Sequence, residues 1–316
     1  MNKATEAALW AMDDWFQLNP DPQQPLHRAR LRGIIKAYGI KWEADSANYE
    51  VIEVEKLLMA PIKSLDTGKD SGFTASGKID VILREKRGGK SMLIMDHKSA
   101  SSAHSPEKDE HLMISSQPSQ YAYLCWANGL KPTHLLWDRV LKSLHRKGKN
   151  ETYDELEYRI QDIYMGDPSK FTRSKIPIIK DQVARHVSDL YDYAKEIDLE
   201  SKGNNHLRST GNCFSFNTPC MYLSCCTGFS DPDDTSVWKR TGPRHQELEL
   251  SSDIDQFKIL TNSRLNCYQG CRQNHAYRYN EGLVKINQEN NENLFIGSAF
   301  HSAMQAYWEV LRDEKN

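Results

Sequence analysis

The chain has 316 residues, of which 39% are hydrophobic and 27% are charged, and its formal net charge is -2. This composition is ordinary for a globular protein, and the length allows one large domain or two modest ones. The near-neutral charge excludes a globally basic nucleic-acid-binding protein, so any DNA contact must come from a local basic surface.

The sequence shows neither a membrane span nor a secretion signal. No apolar run approaches the ~20 residues that a membrane-crossing helix needs. The N-terminal stretch MNKATEAALWAMDDWF is acidic and amphipathic, without the charged-then-apolar layout of a signal peptide. We therefore expect a cytoplasmic protein with no membrane partner.

In chain order, apolar periodicity first predicts helices over residues 4–18 and 26–39, separated by the helix-breaking NPDPQQP. A strand over residues 50–60 and the loop SLDTGKDSG follow. Residues 77–100, GKIDVILREKRGGKSMLIMDHKSA, predict two antiparallel strands joined by a turn near Gly88-Gly89. After the polar loop SSAHSPEKDE, residues 117–128 predict a helix.

The second half predicts a strand in THLLWDRVLKSL, a long amphipathic helix over residues 178–200 and a cysteine-rich loop. A polar connector over residues 231–256 leads to NSRLNCYQGCRQNHAYRY and to a closing helix, GSAFHSAMQAYWEVLRDEK. This order of elements predicts an α/β fold with a small, mainly antiparallel sheet flanked by helices.

The hairpin carries three charged residues that its apolar pattern does not require. Strand alternation places Asp96 and Lys98 on one face, and the antiparallel turn brings Asp80 close to Asp96. Two carboxylates and a lysine suit a Mg²⁺ or Mn²⁺ site that acts on a phosphodiester. The alternative is a solvent-facing edge strand with an ion pair worth under ~1 kcal/mol.

G-K-I-D followed by I-M-D-H-K-S resembles the core of the PD-(D/E)XK nuclease superfamily, and most of all its RecB-like branch with the phage exonucleases. The resemblance implies a restriction-endonuclease-like core with a small mixed sheet. It implies that Asp80 and Asp96 bind the metal and that Lys98 is the catalytic lysine. The backbone carbonyl of His97 becomes a further ligand.

Two helical motifs extend the resemblance. Gln117 and Tyr121 form Q-x-x-x-Y on one helical face, which in the RecB-like branch reaches the catalytic site and the DNA backbone. Gly297 and His301 match the G-x-x-x-H of that branch, where the histidine is a metal ligand. Taken alone, Tyr121 and His301 would be core or boundary residues of amphipathic helices.

The order of the segments differs from that of the family. The Cys- and His-bearing segment comes first there and last here, so we interpret the chain as a circular permutation. Residues 1–230 then form the nuclease core, 231–256 a connector, and 257–316 the equivalent of the family's N-terminus, completing the same domain. A permuted chain folds where termini lie close together.

Four cysteines, Cys213, Cys220, Cys226 and Cys271, resemble the set that holds an iron–sulfur cluster in some RecB-like nucleases. Thiolates of this kind suit a [4Fe–4S] cluster or a structural zinc ion. The first gap in the triad departs from the usual C-x2-C, and Cys225 and Cys267 are alternative members. Free, partly buried thiols are the other interpretation.

For DNA contact, the sequence offers scattered basic residues rather than a base-reading motif. The candidates are Arg264, Arg272, Arg278, Lys142, Arg146, Lys147 and Lys149. Most charge runs of this kind are solvated faces, and contact with the DNA backbone is expected to be independent of base sequence.

The sequence thus favours a metal-dependent DNA exonuclease of phage recombination type. It would resect linear ends to expose single strands for an annealing protein of the phage, in the cytoplasm of an infected bacterium. The alternatives are a structure-selective or restriction-type endonuclease and a catalytically inactive DNA-binding scaffold.

Overall fold

A computed structural model of the protein describes residues 2–88, 91–102, 104–203, 206–215, 218–242, 245, 248, 254–286 and 292–314. The helices, in chain order, are α1 (Lys3–Leu18), α2 (Gln24–Lys41), α3 (Asp45–Asn48), α4 (Pro106–Ile114), α5 (Ser116–Ala127), α6 (Tyr153–Gly166), α7 (Lys180–Glu200), α8 (Leu223–Thr227), α9 (Asn262–Gly270), α10 (Arg272–His275) and α11 (Glu292–Asp313). A π-helical turn, Ala276–Asn280, continues α10.

The strands, in the same order, are β1 (Tyr49–Lys63), β2 (Asp70–Glu85), β3 (Met92–Ala100), β4 (Pro132–Leu141), β5 (Phe171–Pro177), β6 (Phe214–Ser215), β7 (Thr218–Pro219), β8 (Trp238–Arg240), β9 (Ile259–Leu260) and β10 (Leu283–Lys285). The main sheet has the order β1-β2-β3-β4-β5, and β9 also pairs with β2. The β3–β4 and β2–β9 pairs are parallel, and the other pairs of this sheet are antiparallel.

Side-chain caps fix where several helices begin. The Asn2 carboxamide accepts a hydrogen bond from Thr5 N at 2.8 Å at the start of α1. Thr152 and Glu155 form a reciprocal capping box on α6, and Thr261 accepts from Arg264 N at the start of α9. Such caps satisfy backbone donors that a helix leaves free at its first turn.

Helices cover both faces of the main sheet, and strand alternation divides the core between them. Along β3, Leu93 and Met95 pack with α1, α2, α6 and α11, whereas Ile94 packs with α5, α7 and α9. This period of two follows from the pleat of a strand. By the same alternation, the next residues point to opposite layers: Asp96 toward α5 and His97 toward α11.

The second strand of the sheet leaves one edge partly uncovered, and this gap positions the candidate site. The antiparallel ladder between β2 and β3 ends at Val81 and Met95, while β9 joins the same edge of β2 at Thr74 and Ala75. On this edge, Ser76, Gly77, Lys78 and Asp80, which lie between the two pairings, line a cleft, while the other edge of the segment still pairs with β1.

The predicted α/β architecture, a mixed central sheet flanked by helices, is confirmed. Two expected loops are shorter than predicted, because β2 begins at Asp70 and α4 begins at Pro106. The helix α6 and the edge strand β5 were not anticipated. Gly89 of the expected turn and nine residues of the expected connector, all between 243 and 253, lie outside the described residues.

Within the stretch expected to be a connector, Trp238–Arg240 forms β8 and pairs with β10. The Trp238 ring stacks on Tyr222 with the ring centroids 5.7 Å apart. The cysteine-rich segment and the closing segment thus share a small core of their own. In the described part of the chain, no helix is both long and apolar enough to cross a membrane.

Candidate active site

Asp80, Asp96 and Lys98 converge at the open end of the hairpin. Where the ladder stops, the Asp80 carboxylate replaces a strand partner and accepts the backbone N–H of His97 at 2.8 Å. Lys98 Nζ lies 2.9 Å from the Asp96 carboxylate. Asp96 and Lys98 therefore lie on one side of the sheet, and the Asp80 carboxylate lies close to both at the end of the ladder.

The electrostatics of this group keep the lysine charged. Burial alone would lower the pKa of Lys98, but the carboxylates of Asp96 and Asp80 outweigh burial, and the pKa is raised. Burial raises the pKa of Asp96, and the Lys98 ammonium opposes that effect. Lys98 is therefore a cation that can stabilise charge building on a phosphate, rather than a base.

A second acidic group lies beside the hairpin. Ligand atoms of Glu55, Asp80 and His301 all lie within 4.8 Å of one another, and His301 Nδ1 is 3.6 Å from Asp80 Oδ2. Among the described residues, this is the one set of three or more His, Cys, Asp and Glu gathered so closely. The closing helix α11 thus places His301 beside the hairpin.

Glu55 is the residue that the sequence analysis missed. Among the described residues, Glu55 is the non-glycine residue that has a positive φ, which is 50°. This left-handed backbone conformation costs about 1–3 kcal/mol. Lys78 Nζ lies 2.6 Å from its carboxylate. Burial raises the pKa of Glu55, and the charge of Asp80 adds to the effect. The sequence feature that could have identified it is a glutamate on the strand that precedes the hairpin.

Gln117 and Tyr121 reach the same centre from α5. Gln117 Nε2 donates to Asp96 Oδ1 at 3.3 Å and to Tyr121 Oη at 3.0 Å. A Cβ atom on Gly77 would lie 3.1 Å from the Tyr121 ring, so the glycine of G-K-I-D lets the helix approach the strand. Burial raises the pKa of Tyr121 well above 10, and the phenol stays protonated.

Behind β3, His97 belongs to a buried polar network rather than to the cleft. Its Nδ1 atom is 2.7 Å from Asp138 Oδ2, and Tyr38 Oη donates to the same carboxylate oxygen at 2.7 Å. Arg173 pairs with both Asp138 and Asp45. Burial alone would raise the pKa of Asp138, but Arg173 and His97 lower it far below its usual value. The network fixes the backbone between the two catalytic candidates of β3.

These groups border a cavity of about 540 Å³. Its lining includes Glu55, Lys78, Asp80, Gln117, Tyr121 and His301, whereas Asp96 and Lys98 lie behind Gln117 and outside the lining. Burial lowers the pKa of His301, and Asp80 opposes the effect, so the imidazole is neutral at pH 7 and able to bind a metal. Two carboxylates and a neutral imidazole are a donor set that fits Mn²⁺ or Mg²⁺.

The cysteines lie together, away from this cavity. Cys213, Cys220, Cys226 and Cys271 line a cavity of about 320 Å³, and Cys267 joins them. Burial raises the pKa of Cys220, Cys226 and Cys267. Cys225, one predicted alternative, lies outside that lining. No three of the described thiols have their sulfur atoms all within 4.8 Å of one another, whereas a tetrahedral zinc ion with Zn–S bonds of about 2.3 Å would hold its thiolates closer.

The basic residues proposed for DNA contact have different surroundings. Arg264 is 1% exposed and donates to the backbone carbonyls of Phe257 and Ile259, so the predicted DNA contact by Arg264 does not agree with its position. Its guanidinium instead secures the turn that leads into α9. Arg272 pairs with Glu196 and Glu200 of α7.

The remaining basic candidates include the run at residues 142–149. Arg146 and Lys149 are exposed, whereas Lys147 Nζ donates to the Gly148 carbonyl. The backbone N–H of Lys142 donates to the Ala100 carbonyl at 2.8 Å, which holds this run at the end of β3 beyond Lys98. Arg146 and Lys149 are therefore available to solvent at that end of the sheet.

Comparison with known proteins gives one family. The model of the PD-(D/E)XK nuclease superfamily matches residues 2–227 and 259–316, which is most of the chain. The matched ranges contain all the candidate metal-binding and catalytic residues and the cysteines that line the second of these cavities. No curated protein matches the chain.

Proposed function

The chain belongs to the PD-(D/E)XK nuclease superfamily, and on that premise we propose that it is a metal-dependent DNA exonuclease of the RecB-like, phage recombination type. One observation carries the proposal. The cavity of about 540 Å³ brings Asp80, Gln117, Tyr121 and His301 together, although they come from separate parts of the chain. Asp96 and Lys98 adjoin it through Gln117.

In this proposal Asp80, Glu55 and His301 would hold Mg²⁺ or Mn²⁺, and the resemblance adds Asp96 and the carbonyl oxygen of His97. When bound, such a cation would polarise the phosphate and lower the pKa of a bound water molecule. The neutral imidazole of His301 and the carboxyl oxygens of Asp80 and Glu55 are ligand types that fit this role.

The chain's own side chains then orient the substrate. Lys98 stays protonated beside Asp96 and stabilises negative charge on the phosphate as the phosphodiester bond breaks. Gln117, already a donor to Asp96, positions the strand by hydrogen bonds to its backbone. Tyr121 accepts from Gln117 and keeps that amide directed into the cavity.

We further propose that the chain is a circular permutation of the RecB-like type. Support comes from α11, which supplies His301, and from β9, which pairs with β2 of the N-terminal block. Helix α11 packs along α1, and Lys3 Nζ lies 3.9 Å from Glu314 Oε1. A gene reordered so that residues 257–316 precede residue 1 should give an enzyme of equal activity, and an inactive product would argue against permutation.

We also propose that Cys213, Cys220, Cys226 and Cys271 hold a [4Fe–4S] cluster. The shared cavity, in which no three described thiols lie within 4.8 Å of one another, supports a cluster rather than a single zinc ion. Anaerobically purified protein should then contain about four irons with matching acid-labile sulfide. A Cys220→Ser variant should lose them, whereas Cys125→Ser, a buried cysteine of α5, should keep them. Protein that contains zinc alone would refute the cluster.

The activity is tested with end-labelled linear DNA and closed circular DNA, each with Mn²⁺ or with EDTA. The exonuclease should degrade linear DNA only, in the presence of metal, and Asp96→Ala should abolish the reaction. Nicking of circles would favour an endonuclease instead. Absence of cleavage by the native protein, with metal binding intact, would favour a scaffold.

A further inference from the structure

A second cavity lies beyond Gln117 from the carboxylate group. Its volume is about 860 Å³, and it shares the lining residues Gln117 and Asn262 with the catalytic cavity. The two spaces meet where Ser116 Oγ donates to Asn262 Oδ1 at 2.6 Å. Since Ser116 belongs to α5 and Asn262 to α9, the junction is formed by both matched blocks of the chain.

Two helices face each other across this second cavity with polar side chains at helical spacing. The lining side chains are Gln182, Arg185 and Asp189 on α7 and Asn262, Asn266 and Gln269 on α9. Residues three and four apart share one helical face, so each helix presents one polar stripe. Amide and guanidinium groups of this kind bind phosphate and sugar oxygens without reading the bases.

An aromatic ring links this cavity to the catalytic lysine. Trp137 of β4 lines the second cavity and stands beside Asp96 in the parallel register of β3 and β4. The Lys98 ammonium lies 5.4 Å from the centroid of the Trp137 ring. A partly exposed indole between a catalytic cation and an amide-lined groove offers a surface on which a nucleobase can stack.

We propose that the second cavity binds a single strand of DNA that continues from the catalytic cavity, a proposal that rests on the proposed nuclease function. Pockets of ~300–1,000 Å³ hold one drug-sized ligand, so about 860 Å³ accommodates one or two nucleotides but not a duplex. Arg185 contacts a phosphate, the amides of α9 contact the backbone, and Trp137 stacks on a base.

Binding is measured in EDTA, without catalysis, by the fluorescence anisotropy of a labelled single strand of about ten nucleotides and of the blunt duplex of the same sequence. The single strand should bind more tightly. Replacing Arg185 by Gln should reduce the slope of log K against log salt by about 0.7, the value for one phosphate contact on a single strand. Arg87→Gln, an exposed arginine in the β2–β3 turn, should leave the slope unchanged.

Two further variants test the groove itself. Asn266→Glu places a carboxylate on its wall and should weaken single-strand binding about tenfold, and Trp137→Leu should weaken it about as much. Both should leave duplex binding unchanged. Tighter binding of the duplex, no measurable binding of the single strand, or an Arg185→Gln variant that behaves like Arg87→Gln would overturn the proposal.

A small substrate separates this proposal from the proposed function. Bis(p-nitrophenyl) phosphate is a phosphodiester that needs the catalytic cavity alone. Native protein and Asn266→Glu should hydrolyse it equally with Mn²⁺. If neither hydrolyses it while single-strand binding persists, the nuclease function fails and the groove stands. If both hydrolyse it and the single strand does not bind, only the proposed binding of a single strand in the second cavity is refuted.

Discussion

His301 Nδ1 lies 3.6 Å from the Asp80 carboxylate, which joins the closing helix to the first strand of the catalytic hairpin. Gly297, one turn earlier on α11, passes close to β3, where an added Cβ atom would lie 3.6 Å from Ser99 Oγ. The histidine is thus held against the hairpin by packing along α11. The segment that comes last in the chain is therefore part of the proposed catalytic cavity.

Replacing His301 by Ala should raise the Mn²⁺ concentration needed for half-maximal activity by about 10- to 100-fold. The variant loses one neutral ligand but keeps both carboxylates, so excess metal should restore most of the rate. Mn²⁺ titrations of activity and of calorimetric binding measure the effect. His134→Ala, on β4, is the matched control. An unchanged Mn²⁺ requirement would remove His301 from the metal site.

Substitutions at Glu55 should separate its role in metal binding from its effect on stability. Glu55→Gly and Glu55→Ala both remove a carboxylate and should both weaken Mn²⁺ binding. Because φ at this position is 50°, glycine should be more stable than alanine by about 1 kcal/mol, measured by urea unfolding. Glu55→Gln keeps the shape and removes only the charge. Equal stability of the Gly and Ala variants would show that the backbone there is unstrained.

The hairpin was predictable because its geometry is local. Asp96 and Lys98 follow the period of two along β3, and one turn brings Asp80 close to them. Within the hairpin, strict alternation fails on β2, where Ile79 and Val81 pack in opposite layers. The position of the other strands of the sheet, including β1 with Glu55, depends on longer-range pairing. Glu55 escaped notice because a register shift between Val51 and Glu53 and a left-handed residue both interrupt simple alternation on β1.

Charge alone misled the interpretation of Arg264. As one of several scattered basic residues, Arg264 was predicted to contact DNA, but tertiary packing buries its guanidinium, which lies 5.7 Å from the Phe73 ring centroid and 5.5 Å from that of Tyr279. The sequence does not reveal which carbonyls a buried arginine will satisfy. The polar groove between α7 and α9 was likewise hidden, because its two walls lie far apart in the chain.

Lys98→Ala should lower the single-turnover rate on linear DNA by roughly 10²-fold or more, with DNA affinity changed little. Lys98→Arg keeps the charge but places a planar, broader group beside Asp96, and should recover only part of the rate. Lys175→Ala is the control, since Lys175 pairs with Glu85 on the sheet and lines neither cavity. A parallel loss of affinity and rate in Lys98→Ala would indicate a binding role instead.

The stability of the protein should fall in mild acid because of buried, neutral histidines. His275 accepts a hydrogen bond from Arg264 Nε at 3.0 Å, and burial together with the Arg264 charge lowers the pKa of His275 to about 3. In the unfolded chain this pKa is about 6.5. The unfolded state therefore binds the extra proton as pH falls below 6.5, and stability present above that pH is lost.

At about pH 5 this linkage predicts a loss of about 2 kcal/mol from His275 alone. His186 and His245, whose pKa burial lowers to about 4, act in the same direction. Urea unfolding at about pH 7.5 and about pH 5 measures the loss. His275→Gln retains an acceptor for Arg264 but does not titrate, so its loss on acidification should be about 2 kcal/mol smaller than that of the native protein. His111→Gln, at an exposed histidine of α4, should change nothing, and equal acid sensitivity in all three proteins would show that His275 is not buried in its neutral form.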